Sequence, residues 1–149
     1  MNTSAPVSTI MTTQLMTLHP DDSFQAVKKL FEEKNFHHLP VVEPGGKLVG
    51  IISKEDLYKV AYILTLNTTG PTYSVKQMDS LTARDVMTKY PIFLDPDDSI
   101  GLAADIFLAN KFHALPIVED DILVGILTTH DLLRYGFMDV EHHREIEGK

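Results

Sequence analysis

Apolar residues recur at helical spacing in two places along the chain. One set is Phe24, Val27, Leu30 and Phe31; the other is Ile100, Ala103, Ile106 and Phe107. Each follows a Pro-Asp-Asp-Ser tetrapeptide, and Lys28, Lys29, Glu32 and Glu33 take the opposite face of the first set. That spacing predicts two amphipathic helices. Asp22 or Ser23 is a suitable N-cap, and acidic residues suit the positive end of a helix dipole. Short β-branched runs follow each helix. Residues 39–42 and 47–52 flank Glu43-Pro44-Gly45-Gly46, and residues 115–118 and 122–127 flank Glu119-Asp120-Asp121, so each pair predicts a hairpin. A short extended stretch precedes each helix, at 15–18 and 92–94. A second helix begins after Ser53 and after Thr128.

The pattern is therefore written twice, and so are the residues. Pro20-Asp21-Asp22-Ser23 returns as Pro96-Asp97-Asp98-Ser99, Phe36-His37-His38-Leu39-Pro40 as Phe112-His113-Ala114-Leu115-Pro116, and Leu48-Val49-Gly50-Ile51 as Leu123-Val124-Gly125-Ile126. A short segment ending in Met-Thr leads each copy, at 7–12 and 83–88. An internal repeat decides the architecture. Here it predicts an α+β fold of two similar halves about a pseudo-two-fold axis, each half running strand-helix-strand-strand-helix. The expected boundaries are 7–65 for the first domain, 66–80 for a linker, 81–138 for the second domain, and 139–149 for a charged, frayed tail. The helix around 57–64 is apolar on more than one face. It packs against the linker or the other repeat, or it forms a homodimer contact.

Composition narrows the partners. The chain has 149 residues, a net charge of −8 and no cysteine. Two units of this size need a shared core or an extensive interface. The negative charge argues against nucleic acid and anionic membranes. With three arginines (Arg84, Arg134 and Arg144), a polyphosphate ligand would depend on lysines, histidines and backbone N–H groups. Thiolate catalysis, disulfides and cysteine metal sites are excluded. No secretory signal or membrane-length apolar run is visible, so a cytoplasmic location is expected.

Three duplicated motifs carry a family resemblance. They are the helix-opening Pro-Asp-Asp-Ser, the strands His37-His38-Leu39-Pro40-Val41-Val42 and His113-Ala114-Leu115-Pro116-Ile117-Val118, and the signatures Gly50-Ile51-Ile52-Ser53-Lys54-Glu55-Asp56 and Gly125-Ile126-Leu127-Thr128-Thr129-His130-Asp131. Each half resembles a CBS domain, and the pair resembles the tandem arrangement called a Bateman module. The resemblance covers all but the linker and the two ends, with no room for an appended catalytic or transport domain. It implies a regulatory module. Such pairs bind adenosine-containing ligands (AMP, ADP, ATP, S-adenosylmethionine or NAD-type dinucleotides) as effectors in the cleft between the domains, and dimerise into flat assemblies.

The resemblance also implies roles. Asp56 and Asp131 read as ribose-binding, since an ionised carboxylate accepts two hydrogen bonds and the ribose offers two adjacent hydroxyls. The competing reading is a capping box, Ser53 with Asp56 and Thr128 with Asp131. Ser53, Thr128, Lys54, His37, His38 and His113 read as phosphate-binding. The family's arginine is replaced by His38 in one copy and by Ala114 in the other, so the two phosphate ends should differ and neither suits a triphosphate. AMP is therefore favoured. For the histidines, a strand position with one satisfied nitrogen is the competing reading. Leu15, Met16, Thr17, Ile92 and Phe93 read as the adenine edge, with ordinary core as the alternative for the apolar ones.

Other motifs fail. Gly45-Gly46-Lys47 lacks the spacing of a phosphate loop. His142 and His143, being adjacent, point to different helix faces, so no metal site is expected. His130 beside Asp131 lacks a nucleophile, so no catalytic residue is expected. The expected function is a free-standing module that senses an adenosine ligand and signals to a regulated protein partner. The alternative is a ligand-free dimerisation or docking module. The missing arginine favours that alternative; the intact Ser53/Asp56 and Thr128/Asp131 pairs oppose it.

Overall fold

Ser23 and Ser99 start the two amphipathic helices. Their hydroxyls accept from the N–H groups of Ala26 (3.1 Å) and Leu102 (3.0 Å). The preceding aspartates do different work. Asp22 and Asp98 each accept from a backbone N–H three residues back, at His19 and Asp95, both at 2.8 Å, and so close the turn into the helix. Side-chain oxygens at these places satisfy donors that a helix start leaves without partners. The computed structural model describes residues 2–66, 79–110 and 112–147. Positions 67–78, most of the expected linker, lie outside them.

The elements are a 3-10 turn Val7–Thr9, α1 Phe24–Glu33, β1 His38–Val42, β2 Leu48–Ser53, α2 Lys54–Leu66, α3 Ala83–Val86, β3 Thr88–Lys89, α4 Ile100–Ala109, β4 Ala114–Glu119, β5 Ile122–Thr128 and α5 Thr129–Glu147. The expected frayed tail is thus helical through Glu147. Positions 139–147 contain neither glycine nor proline, so nothing in the sequence stops α5 before Gly148.

Both hairpins form in matching registers. His38 pairs with Ser53 and Pro40 with Ile51; Ala114 pairs with Thr128 and Pro116 with Ile126. The first turns through Gly45 and Gly46 at φ 97° and 93°. The second uses Asp120 and Asp121 at φ 49° and 69°, which aspartate tolerates better than bulkier side chains do.

The chain divides into two compact units, and these are not the two linear repeats. One is Met16–Pro91; the other joins Met1–Leu15 to Ile92–Lys149. The segment leading each repeat packs with the hairpin and helices of the other repeat. In the 16–91 unit, β3 pairs antiparallel with β2, Gly50 against Lys89 and Ile51 against Thr88. Ala83 is fully buried in a core with Phe24, Phe31, Leu39 and Ile52. In the other unit Thr12 and Ile126 exchange both backbone hydrogen bonds, at 2.9 and 3.0 Å. Val7 is fully buried beside Ile100, Leu115 and Leu127. The docking bonds correspond one to one: Ala83 N–H donates to the Asp22 carbonyl and Val7 N–H to the Asp98 carbonyl, both at 2.8 Å.

The expected first strand of each half shrinks to a single parallel bridge, Leu18 to Val41 and Leu94 to Ile117. Proline is the reason. Leu18 N–H donates to the Pro40 carbonyl, and the Leu18 carbonyl accepts from Val42 N–H. Extending the ladder back to Met16 would need an N–H on Pro40, which has none. Pro116 stops the ladder at Leu94 in the same way, before Ile92.

Candidate functional site

The topology brings the candidate residues of each unit to one end of its sheet. In the 16–91 unit, Leu18 runs parallel to β1, so Met16 and Thr17 lie toward the start of β1, beside His37 and His38. The antiparallel hairpin sets His38 opposite Ser53 at the end of β2. Lys54 opens α2 at once, its N–H donating to the His37 carbonyl at 2.8 Å. Asp56 lies in the first turn of α2. The second unit repeats the arrangement. Ile92 and Phe93 precede Leu94, Ala114 faces Thr128, Thr129 N–H donates to the His113 carbonyl at 3.0 Å, and Asp131 lies in the first turn of α5. Leu15 is the exception: it falls in the unit that holds the second repeat, apart from Met16 and Thr17.

The strand-edge residues are not core. Met16 is 42% exposed, Ile92 53% and Phe93 54%. Because Pro40 and Pro116 end the parallel ladders, the backbone at Met16 and Ile92 is left out of the sheet. Exposed apolar side chains beside backbone polar groups suit a flat heterocycle with hydrogen-bonding edges. This function of the two prolines escaped the sequence reading, although Pro inside a β-branched run was the available signal.

The capping reading is realised, and unequally. Asp56 N–H donates to Ser53 Oγ, and Asp131 N–H to Thr128 Oγ1, both at 3.1 Å. Only in the second pair does the carboxylate reciprocate: Thr128 N–H donates to Asp131 Oδ2 at 2.9 Å. Asp56 is exposed, and its carboxylate accepts no hydrogen bond among the described residues. Capping does not exhaust either carboxylate, since Asp131 Oδ1 and both Asp56 oxygens keep their acceptor capacity.

The signature glycines are explained by close approach. A Cβ on Gly50 would collide with the Met87 side chain, its Cγ at 2.7 Å and its Sδ nearer. A Cβ on Gly125 would meet Met11 Sδ at 2.5 Å. Each glycine therefore seats the methionine of the other repeat's leading segment.

Among the described residues no His, Asp and Glu group is placed to hold a metal. The side chains of His142 and His143 lie outside that description. His130 is engaged with Arg134 at 3.2 Å, one turn along α5. No helix among the described residues is long and apolar enough to cross a membrane.

A duplicated strand-helix-hairpin-helix with a Gly-h-h-[Ser/Thr]-x-x-Asp junction in each copy, h being hydrophobic, defines a CBS pair. The family model of the CBS domain matches residues 7–62 and 83–137, and the chain belongs to that family. A CBS-pair protein of Arabidopsis thaliana, CBSX2, solved in complex with AMP, is similar at 28% identity and a TM-score of 0.76, over 90% of this chain and 97% of that one. The CBS domain pair of protein MJ0100, in complex with 5′-methylthioadenosine and S-adenosyl-L-methionine, is similar at 26% identity and a TM-score of 0.72, over 90% and 97%. Inosine-5′-monophosphate dehydrogenase of Korarchaeum cryptofilum is 31% identical over 79% of this chain, which spans 21% of that enzyme's length. The chain likewise spans 24% of a homoserine O-acetyltransferase of Methanococcoides burtonii.

Proposed function

We propose that this chain is a regulatory module that binds an adenosine-containing ligand, with AMP favoured. The observation that carries the reading is the convergence, at one sheet end in each unit, of an exposed apolar edge, a hydroxyl and an aspartate with acceptor capacity to spare. In the 16–91 unit Met16 and Thr17 take the adenine, Asp56 the ribose hydroxyls, and Ser53, Lys54, His37 and His38 the phosphate. In the other unit Ile92 and Phe93, Asp131, and Thr128 with His113 take the corresponding parts. The bound AMP of CBSX2 and the adenosine ligands of MJ0100 support the ligand class. The module performs no catalysis of its own. Its effect on a protein partner comes from binding one arrangement of the chain more tightly than another. Equilibrium dialysis with labelled AMP tests the reading: the wild-type protein retains AMP, and the Asp56→Ala, Asp131→Ala double variant does not.

A second reading, association through the helix faces, is favoured by a specific observation. Tyr62, Ile63 and Leu66 of α2 and Leu133, Phe137 and Met138 of α5 are all more than half exposed. Tyr62 and Phe137 occupy corresponding places in the two repeats. We infer that these faces join two copies of the chain in a homodimer, which is compatible with ligand binding at the sheet ends.

A further inference from the structure

We propose that the unit holding the second repeat carries a self-complementary face: its helices α4 and α5 pair with the same two helices of a second copy, and Asp105 of each copy meets Arg134 of the other. The inference rests on the homodimer reading above and names the surface and the charges that set it.

The outward sides of the helices can be compared position by position. On α1, Lys28 pairs with Glu32 and Lys29 with Glu33, one turn apart, at 3.2 and 3.8 Å. On α4 the matching places hold Ala104 with Leu108 and Asp105 with Ala109, and Ala26 becomes Leu102. Leu108 is 86% exposed, and Leu102 is exposed as well. The core of the unit does not use them, since α4 faces it with Ile100, Ala103 and Phe107. Helix α5 shows the same division. Leu132 and Tyr135 pack on the core, while Leu133, Phe137 and Met138 are exposed. The two helices lie on one core and touch each other, so their outward residues form one apolar face. A face of this kind marks an interaction site.

Charge identifies the occupant. On α2, Lys59 pairs with Glu55 one turn back, at 3.6 Å. On α5, His130 stands where Glu55 does, so Arg134 meets an imidazole at 3.2 Å and no carboxylate among the described residues. A guanidinium has more N–H donors than that one contact uses. Asp105, one turn from Gly101 and from Ala109, has no hydrogen bond or ion pair among the described residues. Each of these charges sits amid the apolar face, Asp105 between Leu102 and Leu108, and Arg134 beside Phe137 and Met138 at the next turn. A two-fold interface brings residue i onto j and j onto i. Laying this face on its own copy therefore covers the apolar residues and forms the Asp105–Arg134 pair twice. The first repeat offers no such match. The charges on α1, and Lys59 on α2, are already paired within their own helices, and covering them would take those pairs out of water.

Sedimentation equilibrium of the full chain tests this by charge reversal at exposed positions. Asp105→Arg and Arg134→Asp are each expected to raise the dimer dissociation constant by about a hundredfold, because each turns both pairs into like charges. The variant carrying both changes returns to the wild-type constant. An equimolar mixture of the two single variants also dimerises, since the mixed dimer restores both attractive pairs. Asp105→Arg combined with Lys29→Asp stays dissociated. A wild-type dimer that neither single change weakens, or a loss in Asp105→Arg that Lys29→Asp rescues and Arg134→Asp does not, overturns the self-pairing and leaves the homodimer reading standing. A monomeric wild-type chain overturns both.

Discussion

Met87 occupies the space that a side chain on Gly50 would fill. The contact joins the leading segment of the second repeat to the hairpin of the first, and Met11 at Gly125 is its counterpart. The glycine of the family signature is thus a packing requirement of the exchanged segments. Gly50→Ala is expected to destabilise the protein by about 1–3 kcal/mol, the usual range for overpacking a filled site. Truncation in Met87→Ala should relieve part of that cost. A double-mutant cycle by urea unfolding checks this: the two effects should couple by about 0.5 kcal/mol or more, and strict additivity would show that the two residues do not share the space.

The reciprocal cap at Thr128 and Asp131 gives a second expectation. Thr128→Ala removes the oxygen that accepts from Asp131 N–H and should cost about 1 kcal/mol. Asp131→Asn keeps an amide oxygen able to accept from Thr128 N–H while removing the charge, so it should cost less. Thermal unfolding ranks the two, and Asn costing more than the Thr128 change would indicate that charge dominates at this helix start.

Tyr90 has φ 51°, is 91% exposed and precedes Pro91. A bulky residue at positive φ is strained by about 1–3 kcal/mol, and its exposure leaves little packing to offset this. Tyr90→Gly should therefore raise stability by about 1 kcal/mol, the relief exceeding the added chain entropy of glycine. Chemical denaturation measures it; a loss of stability would mean that the ring makes contacts worth more than the strain.

The helix faces make the oligomer testable. Tyr62→Glu together with Phe137→Glu puts charge on both exposed apolar faces without touching a buried residue. Sedimentation velocity should show a dimer for the wild-type chain and a monomer for the variant. An unchanged sedimentation coefficient would remove these faces from the interface.

The element types were legible because each carried a local signal: period 3.6 after Ser23 and Ser99, β-branched runs around the turn residues, and duplicated junctions at Ser53 and Thr128. The partner of each leading segment was not legible. Residues 7–12 and 83–88 share the Met-Thr that docks, and the sites that receive them repeat Pro-Asp-Asp-Ser and Leu-Val-Gly-Ile unchanged, so hydrophobic pattern alone cannot choose between docking at home and docking across. For the same reason Leu15 was grouped with Met16, though the chain passes from one unit to the other between them. The sites were legible as residue sets from the family signature. Their inequality was legible only in part: His38 against Ala114 shows in the sequence, whereas the reciprocal bond at Asp131 needed coordinates.

Thermal unfolding with and without saturating AMP, in the wild-type chain and in the Asp56→Ala, Asp131→Ala double variant, tests the central claim most directly. At 100 times its dissociation constant a ligand adds about 2.7 kcal/mol to the stability of the state it binds. The expected result is a clear upward shift of Tm in the wild-type protein, absent in the double variant. Equal shifts in both proteins would contradict the assignment of the ribose to Asp56 and Asp131, and no shift in either would contradict AMP binding itself.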